Sequence, residues 1–126
     1  MKTSYLPLLL LFFFTACSKS QPQDPIPVHD SFKMVSKHVG ETRVINVWTP
    51  ADYASSTDSL PVLYMADGGV KEDFPHIANT LAELIKSKSI APIILVGIEN
   101  TVRRRDLSGP TVVDKDKEIA PVVGGS

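Results

Sequence analysis

The strongest pattern in the chain is an apolar run near its N-terminus. Residues 5–14 (YLPLLLLFFF) carry no charge, and Lys2 precedes them. The run is about ten residues long, whereas a helix that spans a membrane needs roughly 20. A short apolar run that follows one positive charge and leads into the small residues Thr15 and Ala16 is typical of a secretory signal peptide. We therefore expect residues 1–16 to be a signal peptide.

The single cysteine of the chain comes directly after this segment. The sequence Phe14-Thr15-Ala16-Cys17 resembles the lipobox of bacterial lipoproteins, in which the cysteine is lipidated and becomes the new N-terminus. The resemblance implies a lipid anchor at Cys17 in the bacterial cell envelope, and Ser18 favours the outer membrane over the inner one. The alternative is an ordinary secretory peptide with an incidental cysteine. A disulfide is excluded because the chain has no second cysteine.

Composition divides the remainder into a tether and a domain. Residues 17–31 are rich in Pro, Gln and Ser, which predicts a flexible tether ahead of a domain in residues 32–126. The net charge of −1 gives no basic surface that would favour binding to nucleic acid. No set of His, Cys and Asp residues has the spacing of metal ligands, so we expect no metal site and no cofactor.

The apolar positions in the domain predict strands and one helix. Residues 32–39 and 42–48 are β-prone segments around a glycine-containing turn, which indicates a hairpin. Residues 62–66 and 93–98 are continuous apolar runs, typical of buried parallel strands. Between them, with Asp73 as a candidate N-cap, apolar residues recur at helical spacing. The fold class is therefore α/β, with a β-hairpin followed by a parallel βαβ unit whose crossover is right-handed.

Residues 99–126 show no clear helical or strand pattern. A segment of this length without regular structure is unusual inside a compact domain. It also leaves the predicted strand 62–66 with an edge that another strand would have to cover. We therefore expect an incomplete domain.

Three segments of the domain together resemble a known family. LPVLYMADGG at 60–69, EDFPHIA at 72–78 and IILVGIENTVRRRDLSGPT at 93–111 are similar to the esterase-D and enterochelin-esterase branch of the α/β-hydrolases, often called putative esterases. The resemblance runs from about Phe32 to the last residue. It implies the N-terminal portion of an α/β-hydrolase sandwich. It also implies a serine esterase that hydrolyses carboxylic esters of small molecules or sugars.

The resemblance also points to candidate site residues in the loops that follow the two apolar strands, where ligands of α/β sheets bind. The family's oxyanion hole takes a backbone N–H from the first loop, which implies Gly68 and Gly69, unless these glycines merely form a tight strand exit. Asn100, Arg103 and Asp106 match the stretch at the active-site mouth. There Asp106 is expected to pair with an arginine, and a structural role is favoured over substrate contact. A structural role is also favoured for His76.

The nucleophile of the family is missing from this chain. It belongs to a G-x-S-x-G motif between a strand and a helix, and no such motif occurs in the 126 residues. Gly124-Gly125-Ser126 gives only its first half, without the preceding helix that the fold requires. We expect the chain to be inactive as the N-terminal fragment of a lipid-anchored esterase. Two alternatives stay open: a small non-enzymatic lipoprotein that binds a ligand or partner, and an enzyme that a second chain completes.

Overall fold

The computed structural model describes residues 24–119 of the chain, which form a four-stranded mixed sheet and three helices. The predicted signal peptide, Cys17 and Ser126 lie outside the described residues. In chain order the elements are β1 (Asp30–Ser36), β2 (Glu41–Trp48), a 3-10 turn (Tyr53–Ser55), β3 (Val62–Met65), α1 (Phe74–Lys86), β4 (Ile94–Ile98), α2 (Arg103–Leu107) and α3 (Asp114–Ile119).

The sheet has the strand order β1-β2-β4-β3. Strands β1 and β2 form an antiparallel hairpin, and Gly40 in the turn has φ of +68°, a backbone conformation that glycine adopts without steric cost. Strand β4 is antiparallel to β2 and parallel to β3, with Met65 opposite Gly97. The hairpin and the parallel βαβ unit confirm the predicted α/β class of an incomplete α/β-hydrolase-like sheet.

Helix α1 covers one face of this sheet. Phe74, Ala78 and Leu81 face inward at the predicted helical spacing and pack with Trp48 of β2 and Leu95 of β4. Phe74, Ala78 and Leu95 are completely buried. Asp73 occupies the predicted N-cap position, but its side chain makes no capping hydrogen bond. Across residues 24–119, no helix is long and apolar enough to cross a membrane.

Strand β3 differs from its prediction as a buried strand. It is one of the two outer strands of the sheet, and Val62, Leu63 and Tyr64 are exposed, Tyr64 to 68%. Within the described residues, no strand lies against its free edge. A continuous apolar run predicts a strand that is buried on both faces, but it does not indicate whether that strand lies in the centre or at the edge of the sheet.

Two short helices follow β4, where no helix was expected. Helices α2 and α3 have five and six residues. Both are rich in charged side chains and too short to display an apolar stripe. The periodicity of the sequence therefore gave no indication of them.

The described part of the predicted tether lies against α1. We call residues 24–29 the strap. The Nδ2 of Asn79 donates to the Pro25 carbonyl at 2.8 Å, and the ring of His29 meets that of Phe74 edge-on, with 5.2 Å between the ring centroids. Strand β1 then begins at Asp30, two residues before the predicted start of the domain. Residues 24–31 of the predicted tether therefore belong to the strap or to the start of β1.

Candidate functional site

Two loops meet at the carboxyl edge of the parallel strands. The first, which we call the DGG loop, is Asp67-Gly68-Gly69 after β3; the second is the β4 loop, residues 99–106. They lie side by side because β3 and β4 are parallel neighbours. Asn100 links them directly, since its Nδ2 donates to Oδ1 of Asp67 at 2.5 Å.

Gly68 fixes the DGG loop to the sheet by close backbone contact. An added Cβ at Gly68 would overlap the backbone of Gly97 and the nitrogen of Ile98. The N–H of Gly68 donates to the Ile98 carbonyl at 3.0 Å, and its own carbonyl accepts from Nδ2 of the buried Asn46 at 2.8 Å. The predicted oxyanion role of Gly68 would require the bond to Ile98 to open.

Gly69 has a different partner. Its N–H donates to Oε2 of Glu72 at 2.7 Å, and the Glu72 N–H donates back to the Gly69 carbonyl at 2.9 Å. The same carboxylate accepts from Nδ2 of Asn100 at 2.8 Å. Glu72 was missed by the sequence analysis. It follows Gly69 by three residues, which is the spacing at which a Glu of a capping box binds a backbone N–H.

Asp67 is the second residue that the sequence analysis missed. Nε and Nη2 of Arg103 both donate to its carboxylate at 2.7 Å. These bonds hold the pKa of Asp67 below its ordinary value. Its backbone is left-handed, with φ of +53°, a conformation that costs most residues about 1–2 kcal/mol and that Asp tolerates better than most. The loop therefore turns sharply at Asp67 and is held there by Arg103 and Asn100.

Asp106 belongs to a neighbouring, buried cluster. Arg43 of β2 donates to both of its oxygens, at 2.5 and 3.2 Å. The backbone N–H groups of Thr101 and Val102 donate to it at 2.8 and 3.2 Å. The side chains of Asp106 and Arg43 are only 6% and 10% exposed. The hydrogen bonds from Arg43 are the main reason why the pKa of Asp106 lies well below its ordinary value.

This cluster ties the β4 loop to the hairpin. Arg105 also binds Asp106, at 2.9 Å, and reaches Glu41 at the start of β2, at 2.5 Å. The pairing of Asp106 with an arginine was expected, but no local pattern pointed to Arg43. That residue lies 63 positions earlier and reaches Asp106 only because β2 pairs with β4.

The structure thus gathers Gly69, Asn100 and Arg103 with Asp67 and Glu72, and separates Asp106 into its own cluster. A cavity of about 300 Å³ lies beside Asn100 and Asp106. A larger one, about 620 Å³, lies at the opposite edge of the sheet near Trp48 and is remote from these loops. Among residues 24–119, no group of three or more His, Cys, Asp or Glu residues has an arrangement that could hold a metal ion.

Comparison with known families identifies this arrangement. A sequence model of the family described as "Putative esterase" matches residues 36–119, which is well over half of the chain. The chain belongs to the putative esterase family. The match covers both loops and the Asp106 cluster of this esterase-family chain, and it confirms the predicted family. No curated protein matches the chain.

Solved structures agree with this assignment. The IroE-like serine hydrolase from Shewanella oneidensis is 35% identical, with a TM-score of 0.62, over 68% of this chain and 28% of the hydrolase. The BES protein from Bacillus cereus is 23% identical, with a TM-score of 0.53, over 76% of this chain and 39% of that protein. The enterobactin esterase FES from Shigella flexneri is 19% identical, with a TM-score of 0.50, over 81% of this chain and 29% of that protein. At these identities, both structures show the fold alone. The aligned part of this esterase-family chain thus spans between 28% and 39% of the length of these relatives.

Proposed function

We propose that this chain supplies the oxyanion-binding side of a serine esterase that cleaves carboxylic esters of small molecules or sugars. One observation carries the proposal: the N–H of Gly69, just beyond the carboxyl end of β3, donates to a carboxylate oxygen of Glu72 at 2.7 Å. A backbone N–H that binds a negatively charged oxygen at this edge has the property that an oxyanion donor needs. The relative described as a serine hydrolase supports the nucleophile type.

Glu72 has to turn away before a substrate can use this donor. Asn100 remains in place when it does so, because its Nδ2 is also bonded to Asp67 at 2.5 Å. The N–H of Gly68, by contrast, is bonded to a sheet carbonyl that cannot leave without opening the strand contact. Gly69 is therefore the donor in this proposal, and Gly68 sets its position.

The 126-residue chain by itself is expected to be inactive. It contains no G-x-S-x-G motif, so no serine is placed between a strand and a helix to attack an ester. The direct check is ester hydrolysis by the purified chain with a chromogenic acetate ester. Turnover that disappears in Ser126→Ala would overturn the expected inactivity.

The esterase role is tested by transplanting the segment into an active relative. Residues 36–119 replace the matching segment of the Shewanella hydrolase, and the chimera is expected to hydrolyse esters. In the chimera, Gly69→Pro removes the N–H and should lower kcat about 100-fold or more. Gly69→Ala is the matched control, because it keeps the N–H and the atoms nearest to its Cβ belong to the side chains of Glu72 and Glu99. Equal loss in both variants, with folding intact, contradicts the donor role.

The membrane attachment is a separate part of the proposal. Cys17, behind an apolar segment and the small residues Thr15 and Ala16, is proposed to carry the lipid that holds the chain in the bacterial envelope, at the outer rather than the inner membrane. The intact mass of the exported protein should show a diacylglyceryl group and loss of residues 1–16. Cys17→Ser should be released from the membrane fraction. An unmodified Cys17 in the exported protein would refute the anchor.

A further inference from the structure

The strap begins at the same edge of the sheet as the candidate site. Asp24, its first residue, has Oδ2 2.6 Å from Nδ1 of His76 in the first turn of α1. One turn further along, Asn79 holds the Pro25 carbonyl at 2.8 Å. Helix α1 starts five residues after Gly69 and leads away from the carboxyl edge of β3. The described chain therefore enters the domain beside the DGG loop.

The docked strap shortens the stretch of sequence between the lipid position and the first docked residue. Seven residue steps lead from Cys17 to Asp24, and at 3.3–3.6 Å per step they span at most about 25 Å. A free tether that ran to Phe32 would contain fifteen steps and would reach about 50 Å. The docked strap thus halves the greatest distance that the chain could place between Cys17 and the domain, and it defines the point at which the chain enters the domain.

We propose that the strap turns the carboxyl edge of the sheet toward the membrane, so that the DGG loop and the β4 loop meet esters that are themselves at the bilayer surface. This inference rests on the proposed lipid at Cys17. The opposite edge, with the loop that connects β2 to β3, lies further from Asp24 by about the length of α1. That helix has 13 residues, which is about 20 Å.

The orientation can be measured without relying on lipidation. In the full mature chain, Cys17→Ser is preceded by a histidine tag and bound to vesicles that contain nickel-chelating lipids. A fluorophore is attached to Lys71→Cys beside the DGG loop, or to Asp58→Cys at the opposite edge; both positions are exposed. Because the edges differ by the ~20 Å length of α1, headgroup nitroxide lipids should quench position 71 at least about twofold more than position 58.

Two variants separate the strap from simple attachment. An insertion of about fifteen Gly and Ser residues before Asp24 lengthens the flexible chain and should remove the difference. Asn79→Ala, which loses the bond to Pro25, should reduce the difference, whereas Glu83→Ala on an exposed part of the same helix should leave it unchanged. Equal quenching at both positions, or a difference that survives the insertion, overturns the proposal.

Failure of the anchor gives a different result. An unmodified Cys17 in the exported protein would remove the membrane setting and refute the proposed attachment, while the vesicle measurement would still report a docked strap. Equal quenching on vesicles would instead refute the strap's role and leave the lipid anchor and the esterase role untouched.

Discussion

The two loops at the carboxyl edge of the sheet are fixed by different forces. The DGG loop is held chiefly by backbone contact, because Gly68 lies directly against Gly97 of β4 while the ion pair of Asp67 with Arg103 is solvent-exposed on the arginine side. The β4 loop is held by charge, because Asp106 binds Arg43 with both side chains almost buried. One loop therefore depends on the absence of a side chain, and the other on the presence of two charges. The stability of the first should respond to volume and that of the second to charge and pH.

The largest effect is expected from Gly68→Ala. The added Cβ would overlap backbone atoms of Gly97 and Ile98, which cannot rotate away as a side chain can. Overpacking against backbone at this depth should cost about 3 kcal/mol or more, enough to abolish the cooperative unfolding transition. The fluorescence of Trp48, the single tryptophan and a core residue, reports that transition in denaturant.

The matched control is Gly69→Ala, because the atoms nearest to its Cβ belong to the side chains of Glu72 and Glu99 rather than to the backbone. We expect this variant to unfold cooperatively. If the two alanine variants were equally stable, backbone contact would not be what holds the DGG loop.

The next effect is expected from Asp106→Asn. The substitution keeps the shape of the side chain but removes the carboxylate nearest to the buried guanidinium of Arg43, whose remaining counter-charge is Glu41 at 3.4 Å. Removal of one partner from a buried pair costs about 3–5 kcal/mol, measured as the loss of unfolding free energy in urea. Asp114→Asn, at an almost fully exposed side chain, is the control and should change little. A loss below about 1 kcal/mol, the range of exposed pairs, would show that the Asp106 cluster is solvated.

The pH dependence should follow from the same contact. The pKa of Asp106 is lowered in the folded chain, chiefly by Arg43, so its stabilising contribution is complete above the unfolded value near 4. The contribution is lost as the pH falls through the lower folded pKa. Unfolding free energy should therefore fall below about pH 4 in the native chain and fall less steeply in Asp106→Asn. Parallel pH curves for the two proteins would contradict this assignment.

The smallest effect on stability is expected from Arg103→Ala. Arg103 makes two good hydrogen bonds to Asp67, but its side chain is 66% exposed. Exposed ion pairs contribute about 0–1 kcal/mol, so the unfolding free energy should change by less than that. The change should shrink further in high salt, because screening weakens exposed pairs. A loss comparable with that of Asp106→Asn would show that the two loops are not held differently.

The sequence predicted the strands, α1 and the position of both loops, because each depends on local periodicity or on the register of adjacent elements. Gly69, Asn100 and Arg103, which the resemblance to the esterase family singled out, lie in these two loops. Asp67 and Glu72 were missed, and Arg43 could not be chosen as the partner of Asp106. These residues act through contacts with distant segments, which no local pattern reports.

The sequence by itself determined the α/β class, the family resemblance and the lack of a G-x-S-x-G motif, because all three depend only on the order of residues within short segments. Only the tertiary structure decided which glycine N–H binds a carboxylate, which arginines pair with Asp106 and which residues of the predicted tether lie against α1. The sequence made the N–H of Gly68 an oxyanion candidate, but in the structure this N–H donates to the Ile98 carbonyl of β4. The composition of residues 24–29 predicted a linker, but in the structure these residues lie against α1. Both outcomes depend on packing between segments far apart in the chain, which folding alone brings together.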